Sequence, residues 1–310
     1  MRKINADSIH HFTRAFILLG FAVMIGYLVI SGQIQLYVVP QLEIYLKITG
    51  VILLLIAIFQ LYISIISLNK KVILCDCGDD HSHSHDHSDG HNHDLPRGWW
   101  KNIAFYGLFI LPLLLGLALP NIALAGSLVQ TKGIHLGGAS LSTGMKQGAF
   151  VELDGNEDPE LKAKFKTDVY NKDYAKLGMK LYQEDTIVMK DEWFIEKLQA
   201  LNTFVGNFVG KPITIKGFIY REAGMTGTEF IIGRMAMTHC IADISPYGII
   251  AESMDASAYA DDSWVSISGI IEATDHQGQK VMKINVEKIE PADAPEVPYV
   301  YPDWDFASKL

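Results

Sequence analysis

Two groups of side chains in this 310-residue chain can do chemistry beyond packing. The first is CDCGDDHSHSHDHSDGHNHD, residues 75–94, which carries His81, His83, His85, His87, His91 and His93 together with Cys75 and Cys77. Neutral imidazole and thiolate are donors that Zn²⁺ prefers, and a pliant segment can gather four of them around one ion. The tract is therefore read as a capture site for Zn²⁺ or another transition metal such as nickel or copper. Its spacing lacks the CxxC…CxxC form of a closed structural site, so exchangeable binding is expected rather than a folded finger. The bland alternative is a solvated linker, because this composition cannot bury a core. Imidazoles also titrate near pH 6.5, but nothing in the pattern favours proton sensing.

The second group is MTHCIAD, residues 237–243, where His239, Cys240 and Asp243 fall close together. These three and Arg234, just upstream, form the candidate ligand-binding set. Imidazole, thiolate and carboxylate can hold a metal, or His239 can activate the thiol by lowering its pKa. Neighbours on a strand point to opposite faces, so His239 and Cys240 share a pocket only if the chain turns, and Pro246 and Gly248 offer a place for that. Against this stands a buried Cys240 behaving as a small hydrophobe.

The elements that must position these groups divide sharply along the chain. Residues 12–30, 44–68 and 103–125 are apolar runs of hydrocarbon-core length, read as three transmembrane helices. Pro112 and Pro120 are expected to kink the third. Arg2, Lys3 and Arg14 open the first run, Lys70, Lys71, Arg97 and Lys101 flank the histidine tract, and residues 31–43 contain no Lys or Arg. The positive-inside rule then places the N-terminus and the tract in the cytoplasm and everything after residue 125 outside it. Ser31-Gly32-Gln33 is not a small-residue cleavage site, so the first run is read as an anchor. Ala123-Leu124-Ala125 resembles such a site and is read as a chance match in an alanine-rich helix end.

Residues 1–125 thus form a transmembrane region with the histidine tract as its cytoplasmic loop, 126–189 a polar extracytoplasmic segment, and 190–310 an extracytoplasmic domain. In that domain Asp191 is placed to cap a helix over 192–205, with Phe194, Leu198, Leu201 and Val205 on one face. Five runs of period two follow, at 213–220, 230–237, 247–252, 264–271 and 281–289. In two of them the inward series ends in glycine, Gly217 and Gly269, which suits sharply coiled strands at barrel corners. The fold class expected is a membrane α-helical region followed by an all-β or α+β domain built on an OB-like five-stranded barrel.

Charge and motifs narrow the function. The first 125 residues hold equal numbers of acidic and basic side chains, so the net charge of −9 lies wholly on the rest. Only two arginines, Arg221 and Arg234, occur there, which argues against nucleic acid as a partner. GxSxG, P-loop, GxGxxG and HExxH patterns are absent, so the chain is not read as an enzyme. With the bilayer between them, Cys240 cannot pair with Cys75 or Cys77.

The order of parts, with GKPITIKGFIYR (210–221), HCIADISPYGIIAE (239–252), SWVSISG (263–269) and PYVYPDW (298–304), resembles the YcgQ-like membrane proteins of Firmicutes across nearly the whole chain. The resemblance implies a permease subunit working with a larger, multi-spanning YcgR-like permease. Such proteins often carry Cys-Cys where this chain has His239-Cys240, which weakens dithiol chemistry and leaves metal coordination open. The function expected is therefore an accessory subunit of a two-component permease in the cell membrane, linked to transition-metal handling. Two alternatives stay open: an envelope-anchored binding or sensing protein without transport, and a thiol-dependent envelope enzyme using Cys240.

Overall fold

The computed structural model describes residues 6–67, 99–118, 129, 132–136, 151, 153, 158–276 and 278–310. They belong to two compact units, one of Met1–Gln35 with Pro40–Asn121, the other of Leu36–Val39 with Ile122–Leu310.

The first unit contains three helices, α1 (Ala6–Ile30), α2 (Glu43–Ser67) and α3 (Trp99–Ala118). Helices α1 and α2 run antiparallel, joined near one end by His11 Nδ1 and Gln60 Oε1 at 3.0 Å and packed near the other where Ile25 meets Gly50. Helix α3 runs parallel to α1, since His10 Nδ1 lies 3.0 Å from the Tyr106 hydroxyl while Gly20 meets Leu113 and Gly116 meets Met24. Glycines at these crossings let the backbones approach closely. The outer faces stay apolar: Phe16 is 64% exposed, Tyr45 64% and Leu108 70%. Helices that are apolar on every side need lipid or another protein around them.

By length and composition, α1 and α2 can cross a membrane, whereas the apolar part of α3, Asn102–Ala118, is shorter. The third run expected over 103–125 is thus seen as helix only to Ala118. Pro112 lies within that helix, and Pro120 falls outside the described residues.

The second unit is sheet-rich. Seven strands, β1 (Ile187–Met189), β2 (Pro212–Tyr220), β3 (Glu229–Ala236), β4 (Ser245–Glu252), β5 (Trp264–His276), β6 (Gln279–Pro291) and β7 (Tyr299–Val300), are ordered β1-β2-β5-β6-β4-β3-β7. Strand β2 also pairs with β3, so hydrogen bonding runs through β2, β5, β6, β4 and β3 and returns to β2. The pair β4 and β6 is parallel, and the other pairs within that circuit are antiparallel. These five strands coincide with the five period-two runs. Strands β1 and β7, too short to carry a period, add to β2 and β3 in parallel and raise the sheet to seven strands rather than five.

The two corner glycines are required by contact. A Cβ on Gly217 would stand 2.5 Å from the Gly233 carbonyl oxygen, and one on Gly269 would stand 2.1 Å from that of Asn285, where the β5–β6 register shifts. No side chain fits such gaps, which is how a strand turns sharply without breaking its ladder.

Helices cover the sheet. Helix α4 (Pro159–Lys164) starts on Asp158, whose Oδ1 accepts from the Glu160 amide at 2.8 Å, and α5 (Lys172–Gln183) buries Leu177, Met179 and Leu181. The segment expected as one helix over 192–205 is two: α6 (Phe194–Thr203) and α7 (Val205–Phe208), broken at Phe204. Phe194, Leu198, Leu201 and Val205 are buried as the period implied. Asp191 does not cap this helix. Trp193, in the left-handed region at φ 56°, occupies the cap position, and the Asp191 carboxylate is engaged elsewhere. A short helix, α8 (Phe306–Lys309), closes the chain, with Phe306 stacked on Tyr174.

Candidate functional site

The HCIAD segment folds around one carboxylate. A 3-10 turn over Ile241–Asp243 swings Asp243 back beneath its own approach, and its oxygens accept the amides of Thr238 at 3.0 Å, His239 at 2.7 Å and Cys240 at 3.3 Å. The His239 ring adds a contact from Nδ1 at 3.1 Å. Partial burial pushes the Asp243 pKa up, but the amides of Thr238, Cys240 and His239 together with the imidazole outweigh it, and the net shift is downward. Asp243 is thereby spent on holding the turn. His239 has a side chain 67% exposed, and Cys240 is half-buried. The chain does turn here as a shared His/Cys pocket needs, but through residues 241–243. Pro246 and Gly248 lie within β4 instead.

The backbone of this segment has a partner. Val39 donates its amide to the His239 carbonyl at 3.1 Å, and Ile241 donates to the Tyr37 carbonyl at 2.8 Å, so that Val38 stands opposite Cys240 in an antiparallel bridge. Residues 36–39 lie in the chain between α1 and α2 yet belong to the sheet-rich unit. On the far side of the turn, His135 pairs with β4, donating to the Pro246 carbonyl at 2.8 Å and accepting from Gly248 at 2.9 Å.

Arg234 is not part of this loop. It projects from β3 into the interior and is 2% exposed. Its Nη1 donates to Asp191 Oδ1 and stands 3.5 Å from the Lys216 carbonyl oxygen, while the rings of Trp264 and Phe194 lie 5.3 Å and 5.8 Å from its guanidinium carbon. Nε and Nη2 are buried without an acceptor among the described residues. Arg221 is the contrast: it binds Asp261 and donates to the carbonyls of Ala256 at 2.6 Å and Tyr259 at 2.9 Å. Tyr301, which feels the charge of the same Asp191, has its phenol pushed up to about 12, first by burial and then by the charges of Tyr299 and Asp191.

A second buried charge lies under the C-terminal tail. Glu196 is 4% exposed. Its Oε1 accepts the Asp303 amide at 2.7 Å, and Oε2 has no partner among the described residues. Burial raises its pKa more than its own backbone amide and that of Asp303 lower it. A carboxyl raised in the folded state stabilises below its unfolded pKa, and that contribution disappears as pH climbs through the folded value. Glu196→Gln keeps the acceptor for Asp303 and removes the titration. Its thermal stability should gain on that of the parent as pH rises from about 4 to about 7, and parallel curves would refute the assignment.

The residues expected to act together are therefore placed apart. His239, Cys240 and Asp243 share a turn, Arg234 pairs with Asp191, and among the described residues no three His, Cys, Asp or Glu side chains gather as a metal site. His81, His83, His85, His87, His91, His93, Cys75 and Cys77 lie outside the described residues. The pairing of Asp191 with Arg234 and of Glu196 with the Asp303 amide leaves no local signal, because each meets its partner only after folding. The one sequence signal for Arg234 is a lone cation within the apolar run FIIGRMAM.

Uncovered apolar helices joined in one chain to a sheet-rich domain define a membrane-associated protein. The chain belongs to the DUF1980 family, matching that family's N-terminal domain over residues 13–135 and its C-terminal domain over 164–302. It is 25% identical to the UPF0703 protein YcgQ of Bacillus subtilis over 207 residues, covering 66% of this chain and 70% of that protein. It is 24% identical over 295 residues to a Streptococcus mutans protein named, provisionally, as a two-component membrane permease complex subunit, covering 93% of this chain and 98% of that one. Among solved structures, a small single-stranded DNA-binding protein from Streptomyces coelicolor matches 27% of this chain and 93% of its own at 10% identity, with a TM-score of 0.20.

Proposed function

We propose that this protein is an accessory subunit of a two-component membrane permease, with its sheet-rich domain outside the cytoplasm and coupled to the membrane helices through residues 36–39. The observation that carries the reading is the main-chain pairing of Tyr37–Val39 with His239–Ile241. That segment connects α1 to α2, so a ligand-dependent movement of the domain pulls directly on the turn between two apolar helices. The turn contains no Lys or Arg, as expected of a loop on the outer side. With α3 as a third crossing, the chain from residue 126 onward emerges on that same side. The five-strand circuit β2-β3-β4-β6-β5, closed and with one parallel pair, is read as an OB-type barrel.

Three apolar helices are few for a transport path, which is usually built from paired repeats. Their uncovered faces and the name of the Streptococcus mutans relative support a multi-spanning partner of the YcgR-like kind. The histidine tract, on the cytoplasmic side in this arrangement, supplies transition-metal capture. Nothing favours the thiol-enzyme reading, because the His239 ring turns to Asp243 rather than to Cys240. Affinity purification from native membranes should recover a multi-spanning protein in stoichiometric amount. Recovery of this chain alone would reject the permease reading in favour of an envelope-anchored binding protein.

A further inference from the structure

The guanidinium of Arg234 has two hydrogen-bonding edges and two faces. Nη1 is taken by Asp191 Oδ1 and the Lys216 carbonyl, and aromatic rings from Phe194 and Trp264 stand over the group. What remains are Nε and Nη2, both buried and both without an acceptor. These two N–H groups lie side by side in the guanidinium plane. They form the parallel fork that receives the two oxygens of a carboxylate or phosphate.

Leaving two donors of a cation unpaired in the interior is costly, because each has given up its water without gaining an acceptor. Strand β3 is otherwise almost wholly apolar and buried, so a hydrophobic residue would fill the position at lower cost. Arg221 shows that this same domain satisfies an arginine with a carboxylate and two carbonyls where only structure is served. A fork left open in a domain that saturates its other arginine calls for an acceptor that the described residues do not supply.

We propose that Arg234 is a carboxylate-binding site, its Nε/Nη2 edge receiving the carboxylate of a small-molecule ligand. The charge balance selects that class. Arg234 is already paired with Asp191, and the chain carries a formal net charge of −9, so a monoanion is accommodated more readily than a multiply charged phosphate. Asp191, with a side chain 61% exposed, carries the pair to the surface. This inference rests on the domain being the ligand-binding part of the permease, but it is tested on the purified chain and fails or stands independently of partner recovery.

The full-length protein, labelled with ¹⁵N-arginine in detergent, has five arginines to resolve: Arg2, Arg14, Arg97, Arg221 and Arg234. Titration with acetate should move the Arg234 Nε–H signal, identified by its loss in Arg234→Lys, downfield in a saturable manner. Chloride at matched ionic strength should leave it in place. Asp191→Asn, which keeps the fork and an acceptor for Nη1 but removes the competing charge, should tighten acetate binding. In thermal unfolding, acetate should stabilise the parent, and Arg234→Lys should weaken the apparent affinity by about tenfold. A signal that never saturates with acetate, or that moves equally in chloride, overturns the proposal. A response to inorganic phosphate but not to acetate overturns the carboxylate class. Should Arg234→Lys fail to fold, the Asp191→Asn titration still decides, because unchanged or weaker acetate binding there contradicts the proposal.

Discussion

In a chain with Cys75 and Cys77 replaced by serine, Val38→Cys is expected to form a disulfide with Cys240 almost quantitatively under mild oxidation. Val38 and Cys240 face each other, and the two flanking bonds, Val39 to His239 and Tyr37 to Ile241, make them a non-hydrogen-bonded antiparallel pair. In such pairs the Cα atoms stand about 4.5 Å apart, within the range a disulfide spans. Mass spectrometry without reduction should find the two peptides linked. The neighbouring Tyr37→Cys, whose side chain leaves the opposite face of the strand, should link poorly. The effect is close to all or none. Two free thiols after oxidation would show that residues 36–39 and the HCIAD turn do not meet, and the proposed coupling to α1 and α2 would fall with them. If the pairing holds, a linked variant that has lost partner-dependent transport and regains it on reduction would show that the contact has to move.

The second large effect is an asymmetry between the two halves of one ion pair. Asp191→Ala should destabilise the sheet-rich domain by about 3 kcal/mol, whereas Arg234→Met should cost less than about 1 kcal/mol. The side chains are 2% exposed for Arg234 and 61% exposed for Asp191. Removing the carboxylate leaves a buried cation with three poorly satisfied nitrogens, since Nε and Nη2 already lack acceptors. Removal of the cation instead leaves a carboxylate that water solvates, while methionine occupies the space against Phe194 and Trp264. Denaturant midpoints of the two variants test this directly. Equal losses, or a greater loss for Arg234→Met, would mean that the guanidinium is held by packing rather than by its partner.

Much of the architecture is legible in local pattern. The apolar runs at 12–30 and 44–68 became α1 and α2, because length and the absence of charge leave a chain in lipid little choice but helix. The five period-two runs became β2 through β6, and Gly217 and Gly269 stand where only a missing Cβ admits a neighbouring carbonyl at that distance. Other expectations gave way to tertiary contact. Asp191, an ordinary helix-capping residue by its position, pairs with a buried guanidinium, a stronger competitor for its carboxylate than a helix amide, and Trp193 stands in the cap position without a side-chain cap bond. Of the third apolar run, residues 103–118 are helix and 119–125 lie outside the described residues.

What the amino-acid order decided alone was which segments shun water and with what period, since hydrophobicity and strand alternation are properties of neighbours along the chain. What folding alone decided was which distant groups meet. Arg234 finds Asp191 from 43 residues away, and Val38 pairs with Cys240 from far back along the chain. Hydrogen bonds across such separations depend on the course of the backbone through space, and no local spacing encodes it. The residues offered as one site, His239, Cys240, Asp243 and Arg234, were close in number. Arg234 sits in the buried stretch of β3 before the chain turns over Asp243, so the arginine faces a different set of partners from the turn that follows it.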